Sequence, residues 1–327
     1  MSPTTPSENQ GLLVAESMLG HRPDRLEAFH PTFGGDDSHA FRLWVGTDQM
    51  LLKIKRRPGS PVGIYFHRRL REAGLPVPEM VAFAPNAGPN GQACVIWDWI
   101  EGRPTEWGAG EPCPYDEAEL GQLLRRVHDL RFDGPFCFLG DDPPSPSSFS
   151  YLDIGPVTDS WAEFFHFDRA ARRLFDKGYL SRSEADALAS SPQRLREELD
   201  RAEPRLLHMG DVMHHGNLLV DQRGRIVAIL DYVESMAGDP RWELAWFDYY
   251  FAALPFASAS FDMARFRAGY QANHDADDRL GRFYLLAILT FDKLRWFDPS
   301  SQKGRWAIET TKGILSALAR TTPRGDQ

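Results

Sequence analysis

Cysteine is scarce. Cys94, Cys113 and Cys137 are the only three in 327 residues, stand far apart and form no C-x-x-C pair. A disulfide framework or a zinc knuckle is therefore excluded as an organising principle, and a reducing cytoplasm is the expected compartment. No apolar run approaches the roughly 18 residues that a membrane span needs. The N-terminal MSPTTPSENQ has neither the basic nor the apolar region of a secretion signal. An excess of cations is also missing, since 37 Lys and Arg face 46 Asp and Glu, a net charge of −9. Nucleic-acid binding rests on Lys and Arg neutralising phosphates, so a cationic or neutral small molecule fits this balance better. The stretch GGDDSHAF carries neither G-x-G-x-x-G nor G-x-x-x-x-G-K, which leaves dinucleotide-binding and P-loop readings unsupported. The expected partner is a small molecule, with no nucleic acid and no membrane, for a monomer or homodimer.

What is present is apolar residue enough, 42% of the chain, for a large core in one big domain or two lobes sharing a cleft. Residues 33–55, FGGDDSHAFRLWVGTDQMLLKIK, predict a Gly-rich turn and then two short strands, AFRLWV and MLLKIK. IYFHRRLREAG has helical spacing and ends at a glycine, LPVPEMVAF is extended, and ACVIWDWIEG is an apolar strand closed by Gly102. Together these predict an antiparallel sheet with one helix. Beyond residue 103 the character changes. DEAELGQLLRRVHDL places Leu120, Leu123, Leu124, Val127 and Leu130 on one helical face, and a Pro-, Ser- and Gly-rich loop covers residues 134–158. SWAEFFHFDRAARRLF, with Ser160 as N-cap, and SRSEADALASSPQRLREELDRA read as helices, as do DRLGRFYLLAILTFDKLRWF and RWAIETTKGILSALAR. The architecture this predicts is α+β: a small strand-rich lobe over residues 1–100, a hinge near 97–102, and a larger helical lobe over 101–327.

The segment NLLVDQRGRIVAILD holds the most informative geometry. Two apolar strands flank the turn DQRG, and folding them about positions 222 and 223 sets Asn217 opposite Ile229 or Ala228, with Asp231 leaving the same end of the hairpin. An amide carbonyl and a carboxylate then converge, a pair of hard oxygen ligands that suits magnesium with its phosphates and waters. Asp211, on the loop just before, faces the same space. A base, an Asn and a metal-binding Asp are what phosphoryl transfer uses, because its catalysis is mostly positioning and charge neutralisation. The adjacent His214 and His215 invite a zinc reading, but neighbours in an extended segment point to opposite faces and no third ligand is spaced for it.

HMGDVMHHGNLLV resembles the H-x-D-x-x-x-x-N catalytic loop of protein-kinase-like enzymes in the version found in aminoglycoside phosphotransferases and choline kinases. AILDYVESMAGDPRWELAWF resembles the metal-binding segment of that family, D-x-x-x-x-x-x-G-D-P, and is most similar to that of hygromycin-type antibiotic phosphotransferases. The resemblance implies a protein-kinase-like two-lobed fold in which residues 1–100 bind nucleotide and residues 101–327 carry catalysis and substrate. It implies Asp211 as the acceptor of the substrate hydroxyl proton, and Asn217 and Asp231 as ligands of Mg2+. Lys53, one of only six lysines, would contact nucleotide phosphates, with Ser38 in the Gly-rich loop beside them. Asp98, Trp99 and Ile100 would offer the backbone that hydrogen-bonds the purine of ATP or GTP. Asp239 would be structural. Two departures stand in the sequence. The loop has two residues between His208 and Asp211 and five between Asp211 and Asn217, where the family has one and four. Counting back from GLPVP to the helix acid that pairs with the strand lysine reaches Gly63.

Glu234, Asp248 and Tyr250 are expected to face substrate, against the alternative that WELAWFDYYF is mainly a buried helix. Trp161, Phe164 and Phe165 are expected in the core. The function this implies is nucleoside-triphosphate-dependent phosphorylation of a hydroxyl on a sugar-containing antibiotic, aminoglycoside or nucleoside type, for resistance or self-protection. The alternatives are a metabolic kinase acting on choline, a sugar or an amino-alcohol, and a catalytically dead nucleotide-binding regulator.

Overall fold

The computed structural model describes residues 6–30, 37–105, 111–144, 157–208, 212, 216–253, 261–271 and 278–320. Its largest sheet is antiparallel, with β1 (Arg25–Phe29), β2 (Ser38–Val45), β3 (Asp48–Lys55), β4 (Met80–Ala84) and β5 (Cys94–Asp98) in the order β1-β2-β3-β5-β4. Alternation decides its two faces. Phe41, Leu43, Leu52, Ile54, Cys94 and Ile96 point one way and bury Val14 and Ala15 of α1 (Glu8–Leu19). Val95 and Trp97 point the other way, onto Phe66 and Leu70 of α2 (Ile64–Glu72). The sheet therefore has a helix on each face, not the single helix expected. α1 escapes the apolar count because its buried positions are only Gly11, Val14 and Ala15, small residues that mark no strong stripe.

The remaining elements follow in chain order: β6 (Arg103–Pro104), α3 (Glu117–His128), β7 (Cys137–Phe138), α4 (Phe167–Asp176), α5 (Arg182–Ala189), α6 (Ser191–Arg194), α7 (Arg196–Leu199), β8 (Arg205–Leu207), β9 (Leu218–Val220), β10 (Ile226–Ile229), β11 (Met236–Gly238), α8 (Pro240–Asp248), α9 (Met263–Tyr270), α10 (Arg279–Ile288), α11 (Leu294–Trp296) and α12 (Gln302–Arg320). The short strands form two three-stranded sheets, β10-β9-β6 and β7-β11-β8. On α3 the stripe Leu120, Leu123, Leu124 and Val127 is buried as its spacing predicts.

Other expectations need correction. Ser160 caps no helix: α4 begins at Phe167, and the Ser160 hydroxyl donates to Asp200 instead, at 2.8 Å. The reason is that Trp161, Phe164, Phe165 and Phe167 are all buried in one aromatic core with Trp242, Phe283 and Phe291, which no single helical face could bring about. The single helix expected after residue 180 is three short ones, with Pro192 opening the second. Two π-helical turns, Tyr249–Ala253 and Leu289–Lys293, extend α8 and α10. No helix among the described residues is long and apolar enough to cross a membrane.

Candidate functional site

The hairpin forms with a register one step from that expected. Leu218 pairs with Ile229, a bulge lies between Ile226 and Ala228, and the Leu230 N–H donates to the Asn217 carbonyl at 2.7 Å. Asn217 and Asp231 are thus held at the same open end of the hairpin. Asp231 stands there at φ 58, in the left-handed region that a non-glycine residue adopts at a cost and that recurs at functional sites. The chain after it is fixed. Tyr232 is 4% exposed, its hydroxyl donates to Ile229 O at 2.6 Å, and Ser235 Oγ donates to Tyr232 O at 2.8 Å. By contrast, the Asp231 carboxylate is met by the Val233 N–H only at 3.5 Å. An amide and a lightly engaged carboxylate fit a magnesium ion that keeps several waters. Among the described residues no three His, Cys, Asp or Glu side chains gather as a metal site. Asp211, His214 and His215 lie outside the described residues.

The entry to the 209–211 segment is anchored by a buried carboxylate. Glu243 on α8 is fully buried; its Oε2 accepts the His208 N–H at 2.8 Å and lies 2.9 Å from His128 Nε2. His128 Nδ1 lies 2.7 Å from the Tyr270 hydroxyl, so a ring protonated at Nε2 donates to Glu243 and accepts from Tyr270. Burial pushes the Tyr270 phenol up, which keeps it a donor. The His208 ring is 3% exposed, and neither ring nitrogen has a partner among the described residues. It packs as an apolar group against Phe66 and Tyr232, with centroids 5.6 and 6.4 Å away. Sequence reasoning missed Glu243 and His128, whose meeting depends on helices more than a hundred residues apart.

Cross-strand pairing places the nucleotide candidates. Lys53 pairs with Ala40 on one side and Val95 on the other, and Leu51 with Arg42 and Trp97, so these residues share one sheet face with Ser38. That face looks toward Asp231, because the Trp97 ring meets the Tyr232 ring at 5.9 Å. Among the described residues the Lys53 ammonium has no hydrogen-bond or ion-pair partner, whereas Lys55, two residues on, is buried and ion-paired with Asp37. At the hinge the Asp98 N–H donates to Glu79 O at 2.9 Å and the Trp99 N–H to Gln49 O at 3.0 Å. Both donors are used within the protein, so of Asp98, Trp99 and Ile100 it is the Ile100 N–H that has no backbone partner among the described residues. The Asp98 carboxylate accepts the Glu79 N–H; burial raises its pKa, opposed by that hydrogen bond. Arg42 lies over the Trp99 ring at 4.0 Å, and Phe29 meets it edge-on at 5.5 Å.

Of the substrate candidates, Asp248 is 7% exposed and ion-paired with Arg267. Tyr250 accepts a hydrogen bond from Lys293 Nζ at 3.0 Å, and that ammonium sits within 5.0–5.3 Å of the ring centres of Trp246, Tyr249 and Tyr250. Glu234 is half-buried, three residues beyond Asp231. Asp239 is structural as expected: it caps α8 by accepting the Arg241 N–H at 2.9 Å.

Residues 32–320 match the sequence profile of the phosphotransferase enzyme family. No curated protein matches the sequence. Among solved structures, a thermostable mutant of aminoglycoside phosphotransferase APH(4)-Ia, in ternary complex with ADP and hygromycin B, shares 18% identity over 97% of this chain and 100% of that one, with a TM-score of 0.61. A candidate fructosamine-3-kinase from Haemophilus somnus shares 14% identity over 94% and 96%, with a TM-score of 0.58. Spectinomycin phosphotransferase APH(9)-Ia, in complex with ADP and spectinomycin, shares 13% over 97% and 99%, with a TM-score of 0.50. At these identities the likeness is one of fold: α+β, two-lobed and kinase-like.

Proposed function

The chain belongs to the phosphotransferase enzyme family, as a small-molecule phosphotransferase with a hydroxyl acceptor, and from that premise we propose its donor, acceptor and site residues. The donor is ATP or GTP bound with Mg2+, and the acceptor is a sugar-containing antibiotic of aminoglycoside or nucleoside type. Residues 1–100 hold the nucleotide and residues 101–327 the acceptor, in a cytoplasmic protein whose three cysteines are free.

One observation carries this reading: the Leu230 N–H to Asn217 O hydrogen bond, which sets Asn217 beside Asp231 on the side where the Lys53 sheet face meets Tyr232. Asn217 and Asp231 would hold magnesium, which when bound supplies charge neutralisation on the phosphates. The Lys53 ammonium, without a partner among the described residues, adds positive charge to the same phosphates. Ser38 stands beside it, and the Ile100 N–H reads the purine edge between Asp98 and Trp99. Asp211 takes the hydroxyl proton as the acceptor oxygen bonds to the terminal phosphorus and the bond to the departing nucleoside diphosphate breaks. Glu234 and Tyr250 line the acceptor side, while Asp248 is held in its ion pair with Arg267.

Support for an antibiotic acceptor comes from the hygromycin B and spectinomycin carried by two structures of the same fold, and from a net charge of −9 that suits a cationic acceptor. The fructosamine-3-kinase candidate, which the fold matches over a similar length, favours a second reading, a kinase of amino sugars in metabolism. Incubation with ATP or GTP and a panel of aminoglycosides, nucleoside antibiotics, choline and glycated amines, read by the mass gain of one phosphoryl group, separates the two. Asp211→Asn is expected to lower turnover about 10²- to 10⁴-fold, and a loss within about tenfold would remove Asp211 as the base.

A further inference from the structure

We infer that Asp141 is a positioning residue that sets Asp231 through the start of α2, in place of an acid on α2 paired with Lys53. The inference rests on the reading of Asp231 as a metal ligand. Asp141 lies three residues beyond β7, in the helical lobe. Its carboxylate accepts three consecutive backbone donors of the other lobe: the Val62 N–H at 2.9 and 3.1 Å, the Gly63 N–H at 2.7 Å and the Ile64 N–H at 3.0 Å. The Gly63 and Ile64 N–H groups are donors that the first turn of a helix leaves unpaired, and a carboxylate there is favoured by both hydrogen bonding and the helix dipole. Gly63, at the N-cap of α2, offers no side chain for the task.

The other side of the same turn touches the metal segment. Gly63 has φ 84, and a Cβ added there would lie 2.3 Å from Tyr232 O and 2.6 Å from Tyr232 Cβ. The backbone at Gly63 therefore abuts the residue that follows Asp231. Farther along α2, the His67 and Phe66 rings lie 5.1 and 6.4 Å from that of Tyr232. The start of α2 is wedged between Asp141 and Tyr232. This accounts for the missing acid. At position 63 any side chain meets an unfavourable φ and an occupied space, so position 63 cannot supply a carboxylate to Lys53. Lobe-to-lobe alignment is set by Asp141 and the backbone, and the charge of Lys53 is left to the nucleotide.

The test uses the whole chain with AMP-PNP and GMP-PNP as probes, each titrated with and without Mg2+ by calorimetry, alongside amide exchange in the ligand-free protein. In Asp141→Ala, nucleotide affinity without magnesium is expected within about twofold of wild type, while the gain on adding magnesium falls about tenfold or more, the size seen when a partner behind a metal ligand is lost. Asp141→Asn, which keeps an acceptor oxygen, falls between. Exchange rises at residues 62–64 and also at 231–235, with β2 and β3 unchanged. A folded Asp141→Ala whose magnesium gain stays within about twofold of wild type, or whose exchange rises only at 62–64, overturns the inference. Should Asp141→Ala fail to fold, Asp141→Asn must show the same split between magnesium-dependent and magnesium-free binding in smaller measure, and a magnesium gain equal to that of wild type overturns the inference. A wild type that binds neither nucleotide with magnesium defeats the functional reading itself, and the exchange result still decides whether Asp141 governs residues 231–235.

Discussion

Asp231 and Asp239 belong to one segment, ILDYVESMAGD, and their surroundings differ in kind. The Asp239 side chain is 4% exposed, lies 2.9 Å from Arg241 Nε, and accepts the Tyr284 hydroxyl at 2.6 Å, while burial and then the Asp239 charge push the Tyr284 phenol well above its ordinary value. Asp231 is only half-buried, sits in a costly backbone conformation and, among the described residues, has one distant N–H on its carboxylate. Two lysines repeat the contrast. Lys293 is enclosed by the rings of Trp246, Tyr249 and Tyr250, bonded to the Tyr250 hydroxyl and ion-paired with Asp292, whereas Lys53 has no side-chain partner among the described residues. Saturated charges hold this fold together, and the proposed function assigns phosphate and metal to the charges left partly unsatisfied.

Substitution at the two aspartates should separate the two kinds of site. Asp231→Asn is expected to lower phosphoryl transfer at least about 10²- to 10³-fold with little change in melting temperature, since Asn tolerates the left-handed conformation. Equal losses of activity and stability would erase the distinction. Asp239→Asn should do the reverse, leaving a half-buried guanidinium and a buried phenol poorly paired and lowering stability by about 2 kcal/mol in urea denaturation. Its activity when folded should stay near that of wild type.

The lysines give a smaller contrast. Lys53→Met should raise the KM for nucleotide about tenfold, about 1.4 kcal/mol, without loss of stability, and Lys293→Met should cost about 1–2 kcal/mol of stability through its cation–π and hydrogen-bonded contacts. A lowered melting temperature in Lys53→Met would place it among the saturated charges.

The smallest effect is a pH dependence at His67, between the sheet and the Asp231 segment. Burial lowers its pKa, the Pro78 carbonyl that accepts its Nε2–H at 2.7 Å opposes this, and Arg71 and Arg68 add to the lowering. The unfolded chain therefore takes up the proton first, so the stabilisation is present above about pH 6.5 and is lost as pH falls toward the depressed value. The urea midpoint should decline over that acid range in the wild type and decline less in His67→Gln.

Much of this was legible along the chain. Lys53, Asn217 and Asp231 are marked by strands and a turn within a few residues of each, and local pairing placed Asn217 within one register step of its observed partner. The bulge at Ile226–Ala228 supplied the missing step, and bulges leave no firm trace in an alternating pattern. The aromatic run at 161–167 misled helix assignment because burial on every side removes the period that a stripe would show.

The sequence by itself determined those elements that carry a clear period and the identity of the chemical groups, because hydrophobic period, turn residues and short spacings act over a few residues. Tertiary structure alone decided which groups are spent and which are free. Asp141 reaches a helix start 77 residues away, His128 meets Glu243 across 115, and Arg267 closes on Asp248 from another helix. A carboxylate written in sequence carries the same charge at every position, and its partner, brought from far along the chain by packing, settles whether that charge serves the fold or the ligand.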